Sequence, residues 1–227
     1  MDFIAVDVLN DPEGLERLLE LGVRKVPVVA RGQQYVFGQN LEAVAAFVGL
    51  RGTGHTPLPP DVLIEKWLTV LRAAQRYVRQ VPNERMNERA VENRDRTTRV
   101  LSHHLFRIAE AFLESAIEGV EYGIMLADRL PPAGTCTTGD EIARYGDEVI
   151  GRLQDWGRNL SDGSSRQNVQ TFYGPQTVGE LLERSTWHSA QHARQLMHML
   201  ERYGISPDGP LIEKDLAGLP LPEGLFE

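Results

Sequence analysis

Two histidines, His188 and His192, stand four residues apart in "STWHSAQHARQ". On an α-helix an i, i+4 pair shares one face, about one turn apart. Imidazoles at that spacing can ligate a single metal ion. The surrounding segment, 180–204, has helical periodicity, with Leu181, Leu182, Leu196, Met199 and Leu200 as its apolar stripe. Halfway along, the inward positions become Ser185, His188, Ser189 and His192. Buried polar groups without partners are costly, so such a run calls for a reason. The residue after His188 is Ser189, where the H-E-x-x-H pattern of zinc proteases holds its general base. Proteolysis of that kind is not expected. Two imidazoles also make an incomplete site.

An earlier segment, "VLSHHLFRIAEAFL" (100–113), offers a third. His104 lies on the stripe of Leu101, Leu105, Ile108 and Phe112, and His103 is rotated about 100° to one side. If this helix neighbours the last one, His104, His188 and His192 converge. Three neutral imidazoles leave a coordination position open, which distinguishes catalytic from structural metal sites. There a bound water would have a lowered pKa, and a bound thiol would lose its proton. Hydrogen-bonded core histidines are the competing reading, and three on two helices weigh against it.

Other side chains have a bland reading beside a functional one. Cys136 in "GTCTTGDE" precedes a helix, where thiol pKa values fall, but it also reads as an ordinary loop residue. Trp187, Phe172 and Tyr173 form either a substrate wall or bundle-end packing. Glu110 and Glu114 follow His104 and either steady its ring or sit in solvent. His198 is off the face of His188 and His192, and His55 falls in a linker.

The elements that must position these residues follow from periodicity and punctuation. In the first fifty residues "FIAVDVL" (3–9), "VPVVA" (26–30) and "QQYVFG" (33–38) read as strands. Helices at 11–22, with Pro12 in its first turn, and at 40–50, capped by Asn40, lie between and after them. The Gly- and Pro-rich "RGTGHTPLPP" (51–60) is the linker. Four amphipathic helices at about 61–81, 94–118, 139–160 and 177–203 then predict a four-helix bundle, with Thr138 capping the third. The charged stretch 78–96 reads as a solvated loop and helix start.

Composition sets limits. A net charge of −8 provides no basic field for nucleic acid. The acids after Gly204 (Asp208, Glu213, Asp215, Glu223 and Glu227) read as a solubility feature. A single cysteine forms no intrachain disulfide. The start "MDFIAVDV" lacks a secretory signal, and no apolar run is long enough to span a membrane. The expected location is the cytoplasm.

A bundle with "SHHLFRI" on its second helix and "WHSAQHARQ" on its fourth resembles the DinB/YfiT-like superfamily over about residues 61–204. That resemblance implies a divalent ion, zinc or nickel, on His104, His188 and His192. An apolar residue follows the first ligand in that family, which favours His104 over His103. The resemblance further implies a metal-dependent thiol transferase, or a related hydrolase or isomerase. Its partners would be a low-molecular-weight thiol, such as bacillithiol or mycothiol, and a small electrophile. The segment 23–49 resembles the second half of a glutaredoxin. In that family the proline matching Pro27 is cis and borders the thiol site, and Gly38 to Asn40 match the turn that holds a glutathione carboxylate. The half bearing C-x-x-C has no counterpart here. Either the first strand takes the vacant place in a three-stranded sheet, or the true start lies upstream of Met1.

The expected fold class is therefore α+β in two domains. A small β-α-β-β-α thioredoxin-like fragment (1–50) and a linker (51–60) precede an all-α bundle (61–204) and an acidic tail (205–227). Pairing into a homodimer through an exposed strand edge is expected. The competing functional readings are a non-catalytic, metal-stapled bundle with a docking module, and a redox adaptor truncated at its N-terminus.

Overall fold

Capping residues delimit the helices of the computed structural model, which describes residues 3–8, 10–52, 54–91, 94–161, 163–222 and 224–225. Met1, Leu9, Thr53, Glu223 and Glu227, on which expectations above fell, lie outside that set. The chain divides between Thr56 and Pro57, inside the expected linker, into two compact units.

In the N-terminal unit, Asp11 caps α1 (Pro12–Glu20) by accepting from the N–H groups of Glu13 and Gly14, each at 3.1 Å. Strands β1 (Val28–Arg31) and β2 (Gln34–Phe37) form an antiparallel hairpin with Val28 opposite Phe37. Asn40 caps α2 (Leu41–Val48) through a 2.9 Å bond from the Ala43 N–H. The strand expected over 3–9 does not form in Phe3–Val8. Phe3 and Ile4 are 84% and 88% exposed, so their β-branched and aromatic character meets no pleated surface to pack on. The observed order is α-β-β-α with a two-stranded sheet, and a three-stranded thioredoxin-like sheet is not seen among the described residues.

The C-terminal unit is the bundle: α3 (Pro60–Gln80), α4 (Thr98–Glu118), α6 (Gly139–Arg158) and α7 (Val178–Arg202). A one-turn helix α5 (Ile124–Ala127) follows α4, and another, α8 (Glu213–Leu216), follows α7. Around the bundle the order is α3, α7, α4, α6, so the first two long helices face each other across the diagonal. Trp67, Leu71, Ile108, Phe112, Leu153, Leu182 and Leu196 fill the centre. Helices α4 and α6 meet closely at Gly146, where a Cβ would come within 2.7 Å of the Phe106 ring.

Helix α4 begins four residues later than its periodicity predicts. Residues Arg94–Thr97 instead form β4, paired with β3 (Arg89–Val91), and Thr97 then caps the helix. A second hairpin, β5 (Asn168–Thr171) and β6 (Gly174–Thr177), leads into α7. Thr177 and Glu180 form a reciprocal capping box there. The segment after Gly204 packs back on the bundle rather than serving only as a solvated tail. Leu211 and Leu219 enter the core, and the Arg76 guanidinium donates to the carbonyls of Asp208 and Gly209.

Candidate metal centre

Because α4 and α7 are neighbours, their inward polar positions face each other. Ser189, fully buried, donates to the Leu105 carbonyl at 3.1 Å and joins the two helices. On either side of that contact lie His104, His188 and His192. One ring nitrogen from each lies within 4.8 Å of the other two. Ring centroids are 4.8 to 5.4 Å apart. His104 and His192 are 4% and 6% exposed, and His188 is half-buried.

The tautomers follow from fixed acceptors. His104 Nδ1 is 3.0 Å from the Ala127 carbonyl at the end of α5, so it carries the hydrogen and Nε2 keeps a lone pair. The Asp128 carboxylate, 3.3 Å from the same Nδ1, reinforces that choice. His192 Nδ1 is 2.7 Å from Gln195 Oε1. The Gln195 amide nitrogen donates to the Leu225 carbonyl at 2.6 Å, which fixes the oxygen on the histidine side. His192 Nε2 therefore also keeps its lone pair, and it faces His188 Nε2 at 3.1 Å. His188 Nδ1 is buried with no partner.

Burial, followed by the neighbouring imidazoles, pushes His104 and His188 well below the ordinary histidine range. Both are neutral at pH 7, as metal ligation requires. Three imidazoles that each bring a ring nitrogen to one point, two of them with the Nδ1–H tied to oxygen, match the donor set of a three-histidine cation site. The residues present fit a divalent ion.

Of the other expected participants, His103 is buried and stacked on Tyr145 at 4.9 Å, outside the cluster, with burial holding its pKa down to about 4. Glu110 and Glu114 do not steady a ligand ring. Their carboxylates bind the guanidinium of Arg107, which is 2% exposed. Arg107 in turn donates to the Leu126 carbonyl at 2.9 Å, next to the carbonyl that holds His104. Trp187 lies against His188, ring centroids 5.9 Å apart. Phe172 and Tyr173 meet edge to face at 4.8 Å. Cys136 is half-buried, and burial pushes its thiol up, away from reactivity. His198 lies at the edge, 3.9 Å from Glu201.

In the N-terminal unit the Val26–Pro27 peptide is cis and the Gly38 N–H donates to the Pro27 carbonyl at 2.9 Å. Pro27 and Gly38 are thus brought together, while the Asn40 side chain is occupied in capping α2. Sequence reasoning missed Gln195, although its i+3 place after His192 was a visible signal. It also missed Ala127, whose backbone carbonyl carries no signal in residue type. A cavity of about 370 Å³ lies at the α4 start, lined by Asn87, Arg99, Val100, Leu130 and Thr137. None of the three histidines lines it.

Comparison with known proteins places the bundle in a family. The family model described as DinB superfamily matches residues 66–196, from within α3 to the residues just after His192. No curated protein matches the chain. Among solved structures, YfiT from Bacillus subtilis, "a probable metal-dependent hydrolase with an unusual four-helix bundle topology", shares the fold. The TM-score is 0.53 at 18% identity, over 68% of this chain and 97% of that one. With more than half of its length matched, including α4 and the part of α7 that carries His188 and His192, the chain belongs to the DinB superfamily.

Proposed function

We propose that His104, His188 and His192 hold one divalent cation, zinc or nickel, and that the chain is a metal-dependent enzyme acting on small electrophiles. The observation that carries this reading is the convergence of three imidazole nitrogens, from two buried rings and one half-buried ring, within 4.8 Å. The hydrolase description of the structurally similar YfiT points the same way. When bound, the cation would supply a site where water or a thiol is deprotonated at neutral pH. Thiol transfer is the favoured reaction, with water attack as its hydrolytic counterpart.

The chain's own residues supply the setting. The Ala127 carbonyl and Gln195 hold two rings in their ligating tautomers. Trp187 shields one side of His188 from solvent. In the N-terminal unit we assign backbone groups at Pro27, Gly38 and Asn40 to holding a thiol, a role supported by the Gly38 contact to the Pro27 carbonyl. The exposed Phe3 and Ile4 favour pairing of two chains through this unit, which sedimentation equilibrium would measure.

The test is direct. Untagged protein should contain about one divalent ion per chain by elemental analysis. It should turn over a thiol and a reactive electrophile, and His188→Ala should abolish both. Metal content without turnover, together with a lower melting temperature on metal removal, would support the metal-stapled bundle instead. Full activity in His188→Ala would sink the catalytic reading.

A further inference from the structure

One turn before His188, Arg184 has no acidic partner among the described residues, and its Nε is buried with no hydrogen-bond acceptor. The acids nearest on its own helix are committed elsewhere. Glu180, at the favourable i, i−4 position, closes the capping box with Thr177 at 2.7 and 2.8 Å. Glu183 accepts from the Leu58 N–H at 3.3 Å. Arg107, by contrast, is paired with two carboxylates.

The Arg184 guanidinium lies over two aromatic rings, 5.1 Å from the centroid of Tyr173 and 5.8 Å from that of Tyr122. Tyr122 is 1% exposed and Tyr173 is 8% exposed, and neither hydroxyl has a hydrogen-bond partner. Three elements bring these groups together: the α4–α5 connection, the β5–β6 turn and α7. Their placement is fixed by backbone bonds, from the Tyr122 N–H to the Gln170 carbonyl at 2.8 Å and from the Phe172 N–H to the Tyr122 carbonyl at 3.1 Å. Buried donors left without acceptors are expensive, and here three of them, Arg184 Nε and the hydroxyls of Tyr122 and Tyr173, belong to side chains in contact. A planar carboxylate supplies what is missing. Its two oxygens match the guanidinium fork and accept from a hydroxyl as well.

We propose that Arg184, with the hydroxyls of Tyr122 and Tyr173, is a carboxylate-binding subsite beside the three-histidine centre. Arg184 and His188 are one helical turn apart, about 6 Å between Cβ atoms. The small molecule handled there therefore carries a carboxylate a few bonds from its reacting group. This deepens the metal-dependent reading and rests on it for the reaction, though not for the binding of the anion. The carboxylate can belong to the thiol or to a second molecule.

Two arms on the full-length chain separate those sources. In the first, cobalt-loaded protein is titrated with 3-mercaptopropionate and with its neutral amide, followed by thiolate-to-cobalt absorption. In the second, benzoate and benzamide are titrated calorimetrically into metal-free protein and into protein holding 2-mercaptoethanol. The acid should bind about tenfold more tightly than the amide in at least one arm, as one charge-assisted contact predicts. A preference in the first arm alone assigns the carboxylate to the thiol, and one in the second assigns it to the other molecule. Arg184→Gln should remove the preference without weakening amide binding, and Arg184→Lys should restore part of it. Tyr122→Phe and Tyr173→Phe should each reduce it severalfold. An undiminished preference in Arg184→Gln, or none in wild type, overturns the subsite. Failure to take up cobalt, with Arg184-dependent benzoate binding intact, overturns the metal centre and leaves the subsite standing.

Discussion

At the residue scale, the site depends on atoms that decide where hydrogens sit. Gln195 has two duties: its oxygen accepts from His192 Nδ1, and its nitrogen is anchored by the Leu225 carbonyl. Gln191 donates to the carbonyls of Gly224 and Leu225. The end of the described chain thus reaches a ligand ring through one amide. Replacing Gln195 by Leu should weaken zinc binding by about 10- to 100-fold in a chelator competition, the usual cost of losing a partner behind a metal-ligating histidine. Gln195→Glu keeps the acceptor and should lose much less. Unchanged affinity in Gln195→Leu would show that the ring needs no such support. His104 and His103 separate at this scale too. Adjacent in sequence, one turns to the cluster and the other stacks on Tyr145.

At the element scale, α4 carries a ligand on one face and a charged network on another. Arg107 binds Glu110, Glu114 and the Leu126 carbonyl, so it ties α5 to α4 and sets the neighbouring Ala127 carbonyl against His104. Burial pushes the Glu110 carboxyl up. The Tyr145 hydroxyl, Arg107 and Arg152 outweigh that and hold it below the usual glutamate range. A carboxyl depressed on folding stabilises the fold above its unfolded pKa of about 4.3, and that contribution is lost as pH falls through the lower folded value. Glu110→Gln should therefore lower the melting temperature at pH 7, with a smaller deficit in acid. An equal deficit at both pH values would mean that only packing was lost. Where α6 starts, a Cβ on Gly139 would collide with the Val78 carbonyl of α3. The helix bounds were legible from caps such as Thr138 and Asn40. The late start of α4 was not, because residues 94–97 become a strand only by pairing with 89–91, which lies outside any helical window.

At the scale of the whole bundle, the cluster joins α4 to α7, two of the four long helices. A cation bound there and not by the unfolded chain adds RT ln(1 + [M]/Kd), about 4 kcal/mol at a thousandfold excess over Kd. Adding zinc to chelator-treated protein should raise its melting temperature in calorimetry, and should leave His104→Ala unmoved. Identical shifts in both proteins would place the ion elsewhere. Among the described residues no helix is long and apolar enough to cross a membrane. The sequence by itself determined the long helices and the inward face of His104 and His192, because periodicity and capping are local properties. It did not determine that α4 and α7 adjoin while α3 and α4 face each other across the diagonal, since connectivity alone permits either arrangement. Tertiary structure decided which ring of His103 and His104 joins the cluster, and it turned Glu110 and Glu114 to Arg107. It also left the run 3–9 without strand structure in Phe3–Val8. Each of these outcomes depends on a partner distant in sequence, and a local pattern cannot encode where that partner will be.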